Sequence, residues 1–288
     1  MTRLIKNSLF ATIFLLAIFL SVLLRDEPKL QTPLVNMGIE SITPKNAALV
    51  TNAPVITNEL INDVKKGNYV LQGSITVPKG ISIKIEEGTV FYANRDAKII
   101  VLGEIVAEKI SWLSNQAYSQ RRYWHGLTAE QNGKITLRDS NIQDTTTALT
   151  ALSGGELNFS GLLTNNVVGI ALLEKGTASI NNVRVSTGTV GIQMTGGVAT
   201  INEITFEKLL DGLRIFHGSK IAINKPRFLQ ISGKFIKYLA EPNLTITNIY
   251  LGNSIAFSSV TYDGNNQPTH TWRGKEFKTG TVSYSLEE

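Results

Sequence analysis

Residues Asp211, Arg214, His217 and Lys220 gather an acid, a guanidinium, an imidazole and an ammonium in one short run, Asp-Gly-Leu-Arg-Ile-Phe-His-Gly-Ser-Lys. Such types move protons and hold anions. With Lys237 they supply the catalytic candidates, Arg214, His217 and Lys237. Strand geometry weakens the set. Asp211 and His217 fall at the two ends of one extended segment, about 20 Å apart at 3.3 Å per residue. That is too far for an acid–base pair. Asp before Gly is turn chemistry, and His217 reads as a turn histidine.

A second cluster runs from Tyr118 to His125 (YSQRRYWH). Arg121 and Arg122 can pair carboxylates in bidentate fashion, and Tyr123 and Trp124 offer rings to a sugar face. These four are the ligand-binding candidates, with an acidic polysaccharide as the ligand. The competing reading packs Trp124 into the core and leaves the arginines solvated. The cluster occupies the longest insertion between repeats, where solenoids place binding loops.

What must position these residues is a repeat. Its units start at Gly126, Ala148, Gly169, Gly191, Gly212 and Phe235, spaced 22, 21, 22, 21 and 23 residues apart. Each start leads into an apolar pair spaced two apart, then a polar turn, then another such pair. A period-2 alternation inside a repeat of this length means stacked β coils. Helical repeats need about 30 residues or more. Two looser coils precede the regular six, around Ile75–Val77, Ile81–Ile85 and Ile99–Ile105. Polar residues after the second pair (Asp139, Asn181, Asn202, Asn224, Asn248) favour tight turns and are expected to stack as a ladder.

Alternation also assigns directions. With Leu127, Leu149, Ile170, Ile192, Leu213 and Ile236 inward, Thr128, Thr150, Ala171, Gln193, Arg214 and Lys237 point out. The next outward row is Glu130, Leu152, Leu173, Thr195, Phe216 and Leu239. The second strand shows Thr136, Asn158, Ser179, Thr200, Ala222 and Thr245. One carboxylate stands in these three rows. Calcium takes about six to eight oxygens, and glycoside hydrolysis uses carboxylates about 5–10 Å apart. The rows supply neither. They point away from an enzyme and from a metal or cofactor site. Leu152, Leu173, Phe216 and Leu239 would form an apolar stripe, a partner contact if bare. The aromatic-containing stretch 256–288 is the expected cover.

The stretches VPKGISIKIEEGTVFYAN, IIVLGEIVAEKISWLS and YWHGLTAE resemble the opening coils of right-handed parallel β-helix proteins of the pectate-lyase-like superfamily. The resemblance covers residues 68–260. It implies an all-β, right-handed, single-stranded parallel β-helix of about eight to nine coils. It says little of activity, because that superfamily holds lyases, hydrolases and epimerases beside non-catalytic binding and scaffold proteins. The Asp211–Lys220 run is similar to the Asp-Gly and His-Gly elements of polygalacturonase-like hydrolases, but lacks their paired aspartates.

The N-terminus carries a different signal. Residues 9–24 (LFATIFLLAIFLSVLL) hold no charge, Arg3 and Lys6 precede them and Arg25 follows. A span takes about 20 residues, and Asn7 and Ser8 extend this one into the headgroups. The basic flank sets the N-terminus inside and the rest outside. The alternative is a cleaved signal peptide, but the stretch ends in Val22-Leu23-Leu24 rather than a small-residue site. The pattern is that of a single-pass protein of a bacterial inner membrane, its solenoid in the periplasm or outside the cell. Without Arg3, Lys6 and Arg25 the balance is 25 basic against 23 acidic residues. That balance and the absence of a basic–aromatic cluster argue against nucleic acid as a partner. The chain has no Cys, hence no disulfide framework or thiolate metal site.

The expected organisation is a transmembrane helix over 1–25, and a Pro-containing tether with a capping helix at 57–66 within 26–67. A β-helix over 68–260 and a tail over 261–288 complete it. The expected function is a non-catalytic scaffold or carbohydrate-binding module in envelope polysaccharide biology. A polysaccharide-modifying enzyme and an accessory subunit of a membrane complex are the alternatives.

Overall fold

Apolar residues at every second position extend the chain, because only a pleated strand puts alternate side chains on one face. The computed structural model describes residues 50, 52–57, 64–116, 119–216, 218–239, 243–251, 254–263, 269–272 and 275–278, and at 238, 239, 243, 248 and over 250–278 the backbone alone. The described residues form strands and no helix. The predicted transmembrane segment lies outside them.

The strands coil into a parallel β-solenoid of about eight turns. Each turn has three sides. The first face runs through Asn68–Leu71, Val90–Ala93, Ser111–Ser114 and 141–143. The second runs through Ser74–Val77, Lys98–Val101, Gly126–Ala129 and Thr147–Ala151. The third runs through Ser82–Ile85, Glu104–Glu108, 134–138 and 156–159. All three continue through the Val168–Phe216 segment, after which Lys220–Leu229 carries the third and first faces and Ile236–Leu239 the second. The predicted register holds. Leu149 pairs with Leu127 and Ile170, and Leu213 with Ile236.

The repeat pattern had indicated two apolar pairs per coil, whereas the structure has three sides. The missing side is the first face, and the reason is local. The corner from the third to the first face is a kink around one residue at positive φ, such as Asp139 (47°), Asn182 (50°) or Lys225 (53°). Strand pairing resumes at once, so Lys134–Gln143 is one strand with a register shift at the bend. The first face also carries the large rings. Phe91 stacks on Trp112 at 4.0 Å, and Phe206 on Phe228 at 5.1 Å.

The core fills the triangle. Leu127, Leu149, Ile170, Ile192, Leu213 and Ile236 are each at most 3% exposed. Each such side chain contributes about 1.5–3 kcal/mol by burial. The corner from the second to the third face brings backbones almost into contact. A Cβ at Gly133 would sit 1.8 Å from the Val101 carbonyl oxygen, and one at Gly155 2.1 Å from that of Ala129. Only glycine fits there.

The N-terminal end is closed by the chain itself. Ile56 and Val64 join the core, and Val55–Ile56 pairs in parallel with Val70 and Leu71. Of the predicted capping helix, 58–63 lie outside the described residues, and 64–66 are not helical. Beyond the last coil, Ser254–Asp263 pairs antiparallel with Asn243–Leu251, and Thr269–Trp272 and Lys275–Lys278 continue that meander. The backbone there extends the sheet from the last coil.

Candidate functional site

Two of the predicted catalytic residues, Arg214 and Lys237, stand side by side on adjacent coils. Arg214 Nε lies 2.6 Å from Asp211 Oδ2, and Asp211 Oδ1 accepts the Lys234 N–H at 2.8 Å. Asp211 is 5% exposed. This pair closes a corner between neighbouring coils, so the guanidinium is occupied. Lys237 is exposed and in register with Arg214. His217 lies outside the described residues.

The Tyr118–His125 cluster divides. Tyr118 lies outside the described residues. Trp124 is fully buried, and its indole N–H donates to the Gln143 carbonyl at 2.8 Å. As a sugar platform it is therefore corrected to a core residue, because the core covers both ring faces. Arg121 and Arg122 are exposed, and Tyr123 is half-buried with its hydroxyl donating to the Asn115 carbonyl at 3.1 Å. Arg95, from the corner one coil below, lies 5.6 Å from the Tyr123 ring centre.

Beneath this loop sits a fully buried carboxylate, Asp144. Ser114 Oγ, Ser119 Oγ, Gln143 Nε2 and Asn165 Nδ2 all donate to it, the last at 2.6 Å. The Tyr123 N–H donates to its backbone carbonyl at 3.0 Å. Arg121 Nε reaches Asn165 Oδ1 at 3.2 Å. A buried carboxylate is tolerated only when saturated with donors. Here that saturation ties the loop to three successive coils. No spacing rule pointed to Asp144, since its donors come from different coils. Among the described residues no three His, Asp or Glu converge as a metal site.

A second feature lies on the third face. The outward row Lys84, Val106, Thr136, Asn158 and Ser179 forms the floor of a groove. One stretch has a volume of about 620 Å³ and runs from Glu104 and Val106 to Ser179 and Asn181. A second of about 490 Å³ shares Val106, Thr136 and Arg138 and runs back to Lys84. One rim stacks Glu104, Lys134 and Glu156; Arg138, Ser160 and Asn181 are on the other. The Glu104–Lys134–Glu156 row escaped the sequence reading. It lies two positions before Thr136 and Asn158, so the same alternation would have found it.

The rim carboxylates are engaged. Glu104 accepts from Ser82 Oγ at 2.7 Å, and Glu86 accepts the Lys66 N–H at 3.0 Å. Lys109 lies 3.1 Å from Glu87 and 3.7 Å from Glu108, and chiefly the Glu87 carboxylate holds its ammonium above the ordinary value. The Asn158 amide at 2.8 Å, then the Lys134 ammonium at 3.1 Å, hold Glu156 below the ordinary carboxylate value against the opposing effect of burial. Among the described residues, Lys84, Thr136, Arg138, Ser179 and Asn181 make no side-chain hydrogen bond or ion pair.

The expected turn ladder is present in part. Asn224 Nδ2 donates to Asn202 Oδ1 at 2.8 Å, and Thr247 Oγ1 donates to Asn224 Oδ1 at 3.1 Å. Leu152, Leu173 and Phe216 of the apolar row are half-buried. The fold is a parallel β-solenoid, and among the described residues it carries two candidate sites, one on a loop and one on a face. No protein-family model and no curated protein matches the chain.

Proposed function

We propose that this chain is a membrane-anchored, non-catalytic β-solenoid, akin to the pectate-lyase-like superfamily, that binds a carbohydrate chain along its third face in the cell envelope. The observation that carries this reading is the groove floored by Thr136, Asn158 and Ser179, where the Thr136 and Ser179 hydroxyls make no side-chain hydrogen bond among the described residues and Asn158 is held by Glu156. The strands beneath use their backbone groups for coil pairing, so a ligand must meet side chains rather than add as a strand. Hydroxyl and amide side chains match sugar hydroxyls. Lys84 and Arg138 add two cations without ion pairs among the described residues, so the groove suits a glycan with sparse acidic groups.

Glu104 and Glu156 favour a second reading, a polysaccharide-modifying enzyme. They stand two coils apart, about 10 Å at the spacing of stacked strands. Against it, Asn158 and Lys134 hold Glu156 ionised, the wrong direction for a general acid.

Calorimetric titration of the full chain in detergent with polygalacturonate and with a neutral glucan tests the binding reading. Thr136→Leu/Asn158→Leu should weaken glycan binding at least tenfold. Absence of binding to either glycan, or release of unsaturated or reducing ends with or without Ca²⁺, would overturn it.

A further inference from the structure

The chain meets the solenoid at the foot of the arginine loop. Val50 donates its N–H to Asn115 Oδ1 at 2.9 Å, and Asn115 Nδ2 returns a bond to the Val50 carbonyl at 3.4 Å. The same Asn115 accepts the Tyr123 hydroxyl through its carbonyl. One residue thus fastens both the incoming chain and the loop. Around Tyr123 stand Arg95, Arg121 and Arg122, all exposed. Among the described residues none of the three pairs with a carboxylate. Asp144 makes no ion pair with them, its oxygens accepting instead from Ser114, Ser119, Gln143 and Asn165. The exposed acid nearby, Asp96, lies 4.0 Å from His125.

From this we infer that Arg95, Arg121, Arg122 and Tyr123 form a docking patch for an anionic phospholipid surface. The inference rests on the membrane-anchored reading above. The 24 residues between Arg25 and Val50 link the solenoid covalently to the anchor, with a reach of at most about 80 Å. A covalent link of that length raises the effective concentration of the solenoid at the bilayer, and the patch lies beside its point of attachment, Val50. Guanidinium groups grip phosphates in bidentate fashion, and tyrosine sits well at the headgroup level. The Asp144 network holds the loop in place beforehand, so little freedom is lost on docking. The glycan groove is on another face and stays accessible while the patch is engaged.

The chain has no Cys, so Gln120→Cys places one environment-sensitive dye on the loop. The full chain is reconstituted into vesicles of phosphatidylcholine, or of phosphatidylcholine and phosphatidylglycerol in equal parts, each doped with a headgroup quencher. Quenching should be strong in the anionic vesicles, weak in the neutral ones, and suppressed by high salt. Each arginine is expected to be worth roughly fivefold in loop occupancy, so Arg95→Ala/Arg121→Ala/Arg122→Ala should lower it about a hundredfold. Equal quenching in both lipids, or an unchanged triple variant, overturns the patch. So does displacement by inorganic phosphate or polygalacturonate at constant ionic strength, which would mark a site for soluble anions. Flotation with neutral vesicles after an alkaline wash tests the anchor separately. If the chain is stripped there, the anchor fails, and binding to preformed anionic vesicles decides the patch alone.

Discussion

The arginine loop and the third-face groove solve the display of polar groups in opposite ways. The loop departs from the coil and needs a buried carboxylate, Asp144, to hold it, with donors drawn from the Ser111–Ser114 strand, the loop itself and two later corners. The groove needs no such device. Its floor is a row of stacked strand residues, held by the same ladder as the core beneath them. An irregular site in a solenoid draws its rigidity from buried polar bonds, and a regular site draws it from coil pairing. Damage to the first should appear as lost stability. Damage to the second should appear as lost binding alone.

The largest effect expected from that contrast is at Asp144. Asp144→Ala leaves several donors unpaired in a fully buried pocket, at a cost of about 3 kcal/mol. Thermal unfolding of the full chain should show a drop of roughly 10 °C. The groove variant Thr136→Leu/Asn158→Leu should change stability by less than about 1 kcal/mol while binding falls. If both variants unfold at the same temperature, the contrast collapses.

A smaller effect is expected at the turn ladder. Asn224→Ala removes the bonds to Asn202 and Thr247, worth about 1 kcal/mol together because the corner is partly solvated. Chemical denaturation should resolve it. An unchanged midpoint would show the ladder to be decorative.

The smallest effect is pH-dependent. The folded-state value of Glu156 is depressed, so its contribution is complete above the ordinary value of 4.5 and is lost as pH falls through the lower folded value. Comparing Glu156→Gln with the parent chain should therefore show a stability gap at neutral pH that closes in acid. Its exposure keeps the gap small and sensitive to salt. A gap that widened in acid would reverse the assigned direction.

Much of this was written in the chain. Alternate apolar residues at a steady period require extended segments to stack, and they name the inward row from Leu127 to Ile236 without reference to any structure. They also name Thr136, Asn158 and Ser179 as outward, which is the groove floor. Side-chain direction follows from strand geometry, a local property. What the sequence did not reveal depends on contacts between distant residues. The first face was hidden because one residue at positive φ turns the chain with no loop between the two sides and shifts the inward alternation by one position. The sequence left Trp124 open between surface and core, and only the closed coils put it in the core. Asp144 drew no notice in the sequence, because its partners Ser114 and Asn165 lie 30 and 21 residues away. The alternation of side chains determined the solenoid, because strand direction and burial are set residue by residue. Tertiary structure alone decided which polar groups are saturated and which stay open, because a hydrogen bond across coils exists only once the coils are stacked.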